Sequence, residues 1–233
     1  MRTAPSARGL VVAALALALL PLSSHAASRD NGLEGVWKIT SPRSAFTPID
    51  GPIPFTAAGQ TAYEQNKAAL AKGDFSFDRT QSRCASPGVP RLSLTPWRFR
   101  IWPRARFVVF EYEWNRLHRE VDMTGRTAEQ PFVGPAVGVS RGHWEGKTLV
   151  IKSQYFDENT LIDNLTPHDS DMVVEERWSL TGPNTLRDQI TISDPAFFTR
   201  PWHTQATYQR QPDLAFPEDV CLDRRDAGKM PLP

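Results

Sequence analysis

The chain has 233 residues, with 27 basic and 26 acidic side chains, a formal charge of +1 and 40% hydrophobic residues. This balance argues against a nucleic-acid binder, which needs a basic surface. The length suits one domain with a substantial core.

Arg2 and Arg8 precede an apolar run over 9–20, and Ser24-His25-Ala26 offers small residues at both cleavage-determining positions. This pattern reads as a secretory signal peptide, 1–26, cleaved after Ala26 to leave a single domain over 27–233. The run is too short for a membrane span, so the expected location is periplasmic or secreted. Its removal takes away two arginines and no acid, leaving a formal charge of −1. In an oxidising compartment Cys84 and Cys221 are expected to form a disulfide across a long loop.

Residues 33–39 read as a first strand with Trp37 ready to enter a core. Pro42, Pro48, Pro52 and Pro54 then forbid regular structure. Thr56 is placed to cap a helix running through Tyr63 and Leu70, and Gly73 to end it. Alternation resumes at Leu92, Leu94, Trp97, Phe99 and Ile101.

Residues 107–126 form the longest strand-like run and the richest in aromatic and ionisable groups. Read with a period of two, Val108, Phe110, Tyr112, Trp114 and His118 share one face, and Val109, Glu111, Glu113, Arg119 and Val121 the other. Residues 137–144 and 148–156 flank Glu145-Gly146-Lys147 as a hairpin. Strands over 172–180, 186–192 and 197–208 follow, with Leu186, Asp188, Ile190 and Ile192 alternating in the second. The tail beyond Pro212 is irregular. The expected fold is mainly β, with about eight strands: a single antiparallel barrel or strongly curved sheet with one early helix, closure removing exposed edges.

A set of stretches resembles a family of exported bacterial proteins of lipocalin-like or calycin-like barrel form. They include Cys84 with Gly88-Val89-Pro90-Arg91, Glu113 with Arg119-Glu120, Trp144-Glu145-Gly146, Pro167-His168, Glu176-Arg177 and Thr199-Arg200-Pro201-Trp202. Lys147 and Asp169 depart from the family pattern, which usually has an acid and a serine there. The resemblance implies fold and export but no reaction.

Candidate chemistry concentrates in Glu113, Arg119, His168, Glu176 and Arg177, ionisable groups on or beside strands that must be paired, exposed or lining a wet pocket. As a catalytic set, an arginine would clamp a carboxylate or enolate-like oxygen, Glu113 or Glu176 would act as base, and His168 would relay a proton. The same groups suit a binding protein with apolar walls from Trp114, Trp178 and Trp202 and a polar anchor at Arg177. His168, Asp169 and Asp171 could offer metal ligands, but a solvated turn whose acids bond nearby backbone N–H groups accounts for them better, and neither metal nor cofactor is expected. Residues 138–142, Gly-Val-Ser-Arg-Gly, satisfy the bare nucleophile-elbow pattern inside a predicted hairpin, where the strand-to-helix turn is missing. The function that follows is a binding or carrier protein for a small, partly apolar molecule, such as an aromatic or carboxylate-bearing one. The alternative is a cofactor-free isomerase, lyase or hydrolase, and a filled-core structural protein is a third reading. No nucleic-acid partner is expected, and oligomeric state is left open.

Overall fold

The computed structural model describes residues 1, 31–127, 129–213 and 215–232, so the signal-peptide expectation lies outside the described residues. Period-two burial runs along the wall of a closed barrel made from nine strands in chain order. They are β1 (Gly35–Ile39), β2 (Phe99–Pro103), β3 (Phe107–Tyr112), β4 (His118–Asp122), β5 (Val139–Glu145), β6 (Thr148–Gln154), β7 (Val173–Gly182), β8 (Thr185–Ser193) and β9 (Trp202–Gln211). Every neighbouring pair is antiparallel except β4 and β5, which run parallel through two residue pairs, Val121 with Ser140 and Asp122 with Arg141.

The count is nine because the run over 107–126 is not one strand. It folds back as a hairpin whose turn holds Asn115 and Arg116 at φ of 48° and 50°, and the Tyr112 N–H closes it on the Leu117 carbonyl at 2.8 Å. The turn shifts the alternation by one. Val108, Phe110 and Tyr112 point inward from β3, and Arg119 and Val121 point inward from β4, so residues on opposite faces of a single strand share the barrel interior.

Thr56 caps α1 (Ala57–Ala71), its Oγ1 accepting the Gly59 N–H at 3.0 Å, and Gly73 follows the helix at φ 72°. Two shorter helices, α2 (Arg79–Arg83) and α3 (Cys221–Asp226), carry or adjoin the cysteines, and Cys84 and Cys221 are joined as a disulfide. Leu92 and Leu94 belong to a 3-10 turn (Arg91–Leu94) rather than a strand. Pro90 precedes it, and both leucines are buried.

The two rims differ. The connections 104–106, 146–147 and 183–184 at one rim are tight, whereas the connections 40–98, 155–172 and 194–201 at the other are long. These long connections cap the barrel, inserting Phe46, Val89, Leu92, Leu94, Phe156, Ile162 and Phe198 into the main core cluster. The C-terminal segment lies against the β3–β4 turn, where Asp219 bridges Trp114 and the Cys221 N–H donates to Asn115 Oδ1 at 2.7 Å.

Candidate functional site

Inside the barrel, beneath the capped rim, sits a polar group surrounded by aromatic rings. Arg119 is its centre, 1% exposed. Its Nη1 donates to Glu176 Oε1 at 3.0 Å, its Nη2 to Glu176 Oε2 and to Ser153 Oγ (2.8 Å), and its Nε to Ser140 Oγ at 3.1 Å. The two serine hydroxyls bond each other at 2.8 Å, and the guanidinium lies over the Phe110 ring, 5.6 Å from its centroid. Burial alone would lower the Arg119 pKa, but the Glu176 carboxylate more than offsets this and the guanidinium is held charged.

One strand further round, Asp188 on β8 faces the same interior, with Trp178 as its cross-strand neighbour on β7 and Ala206 on β9. Its side chain is fully buried, and neither carboxylate oxygen has a hydrogen-bond partner of normal geometry in the described residues, although the Arg177 backbone N–H lies near it. Burial pushes its pKa well above the carboxylate range, and the Glu176 charge adds to this. Trp178 Nε1 is also unpartnered, so these neighbours do not satisfy one another.

The surrounding wall is aromatic. Trp178 stacks on Tyr208 at 5.4 Å and meets Phe99 edge-on at 5.8 Å, while Phe99 meets Tyr208 edge-on at 5.0 Å and Tyr112 at 5.6 Å. Tyr208 Oη donates to the Ser93 carbonyl at 3.1 Å, tying the interior to the 3-10 turn of the cap. Burial raises the pKa of both Tyr112 and Tyr208, so both phenols stay neutral.

The remaining sequence candidates are dispersed. Glu113 pairs with Arg98, its Oε1 accepting from Nε at 2.7 Å and its Oε2 from the backbone N–H at 2.8 Å. Arg177 faces outward and pairs with Glu145. His168 is buried in the cap connection 155–172, in contact with Thr160 Oγ1 through Nε2 (2.8 Å) and the Asp169 carbonyl through Nδ1 (2.9 Å). Trp114 packs in a separate cluster with Cys221, Cys84, Trp97 and Leu232, and Trp202 meets Phe198 edge-on at 5.8 Å. Arg119, Glu176 and Trp178 are therefore brought together, whereas Glu113, His168, Arg177 and Trp114 have other partners. Asp188 was missing from the candidates, though an aspartate on the otherwise apolar alternation Leu186, Ile190, Ile192 is a visible signal.

Among the described residues no group of three or more His, Cys, Asp or Glu is arranged to hold a metal ion, and no helix is long and apolar enough to cross a membrane. A cleft of about 560 Å³, its open mouth included, lies outside the cap and is lined by Arg43, Leu94, Thr95, Asn164 and others, but not by Arg119, Glu176 or Asp188.

No family model and no curated protein matches the chain, so the bacterial family resemblance gains no family assignment. Among solved structures, the chain is similar to a secretary abundant heat soluble (SAHS) protein from Ramazzottius varieornatus, at 10% identity and a TM-score of 0.36, over 77% of this chain and 96% of that one. A likeness at that level carries no functional argument.

Proposed function

We propose that the chain is an exported binding or carrier protein whose barrel takes a small, partly apolar molecule into its interior. The observation that carries this reading is Asp188. An isolated polar group in an apolar interior costs about 1–3 kcal/mol, and a purely structural core gains nothing by keeping one among packed rings. Together with the unpartnered Trp178 indole N–H, it leaves polar positions for a guest inside an aromatic wall, the composition of a ligand site.

Arg119 and Glu176 supply the fixed polar floor. Their mutual bonds and the two serines engage the guanidinium on both edges, so it supports the site more than it grips a guest. The acid/base reading draws less support, because Glu113 and His168 share no partner with the Arg119–Glu176 pair.

Native mass spectrometry of the protein purified from its exporting cell tests this. A stoichiometric organic mass that is lost on denaturation is expected. Bare protein at every stage, with no small molecule displacing interior tryptophan fluorescence, would overturn the reading in favour of a filled core.

A further inference from the structure

Resting on that reading, we infer that the occupant is a small organic cation, a protonated amine on a mostly apolar body, with its charge against Asp188 and its body among Trp178, Tyr208, Tyr112 and Phe99. Three observations converge on this chemistry. The first is the acceptor: apart from the Arg177 backbone N–H near it, the fully buried Asp188 carboxylate has no hydrogen-bond partner of normal geometry in the described residues, and an ammonium offers up to three donors to such a group. The second is the wall. Phe99, Trp178 and Tyr208 contact one another and Tyr112 contacts Phe99, at centroid distances of 5.0 to 5.8 Å, and the faces of such rings attract a cation once it leaves water.

The third is the exclusion of anions. Arg119 is the buried cation beside this wall, and Glu176, Ser140 and Ser153 occupy it. A carboxylate guest would bring its negative charge beside Glu176, against which the Trp178 indole N–H is a single neutral donor. Ala206 stands directly across from Asp188 on β9 and offers it no hydrogen-bonding side chain. A guest bearing its charge on nitrogen reverses the polarity expected from an arginine clamp.

The step balances simply. Where burial keeps the Asp188 carboxyl protonated, the arriving ammonium displaces that proton: the carboxyl O–H bond breaks, the proton leaves to solvent, and the carboxylate pairs with the cation. Binding therefore releases one proton. It should tighten with rising pH, by about tenfold per unit while Asp188 starts protonated.

Calorimetric titration of the wild-type protein with 2-phenylethylammonium, 2-phenylethanol and 3-phenylpropionate tests the inference, in buffers of differing ionisation enthalpy. The cation should bind at least about tenfold tighter than the alcohol and release a proton, with the anion weakest. Asp188→Asn should erase the preference for the cation while leaving the alcohol's affinity within about twofold. If that variant does not fold, the wild-type proton release decides alone. Equal affinities for all three, cation binding without proton release, or no binding by any of them would overturn the cation assignment. The interior-binding reading is judged separately, by whether any guest mass appears in the native spectrum.

Discussion

Glu176 holds Arg119 by both carboxylate oxygens inside the barrel, with side chains 0% and 1% exposed. Glu176→Gln would leave the guanidinium buried without a counter-charge, at a cost of about 3–5 kcal/mol. Replacing both, Arg119→Met with Glu176→Leu, should cost far less, because no charge is left stranded. Urea denaturation of the single and double variants checks this; equal losses would mean the pair is not acting as a unit.

Asp188 works in the opposite direction. Its folded-state pKa is raised, so the unfolded chain gives up its proton first, and stability falls as pH rises from about 4 towards the folded value. Asp188→Val removes that loss together with the cost of an unpartnered buried carboxyl and should stabilise the protein by about 1–3 kcal/mol, with a larger gain at pH 7 than at pH 3. Denaturation curves at both pH values decide the matter, and a variant weaker at pH 7 would contradict it.

His168 gives a second pH signature of the other sign. Burial in the cap lowers its pKa, outweighing the Asp169 carbonyl and the charges of Asp194, Asp169 and Asp157 that face it. The unfolded chain then binds the proton first, so this contribution is complete above about pH 6.5 and is lost as pH falls below it. Melting temperature measured from pH 8 to pH 5 should drop in the wild type and flatten over that window in His168→Asn.

Gly59 lies in the first turn of α1, where alanine would ordinarily favour the helix by about 1 kcal/mol. Here an added Cβ would stand 2.2 Å from the Phe197 carbonyl oxygen and 3.1 Å from Phe55 Cδ1. The clash should win. Gly59→Ala is expected to destabilise by about 1–3 kcal/mol, since α1 would have to lift off the connection 194–201 and strain the Thr56 N–H bond to Phe197. Thermal melts test the sign, and a more stable variant would mean that the connection yields.

The sequence made local features legible and left those that depend on register hidden. Thr56, Gly73 and the Gly146 hairpin were readable because each is decided by a few neighbouring residues. The β3–β4 turn was not. Asn115 is a known occupant of left-handed backbone, but Arg116 is not, and the alternation of aromatic and charged residues continues across the break. With the turn missed, Arg119 and Phe110 fell on opposite faces, although they are directly paired and both point inward. The Arg119–Glu176 pair was one of several combinations the sequence allowed, and only strand register singles it out. Asp188 lay in plain view on an apolar face, but without the barrel nothing showed that its surroundings offered no partner.

A ring with an odd number of members cannot alternate direction all the way round. Nine strands joined neighbour to neighbour must contain at least one pair running the same way, and the barrel discharges that obligation at β4 and β5, over only two residue pairs. Parity demands one such pair, and it falls where the ladder is shortest. Arg119 stands directly behind it, reaching from β4 to Ser140 on β5 and to Ser153 on β6. The guanidinium that looks like binding-site chemistry is also the internal stitch across the seam that counting makes unavoidable.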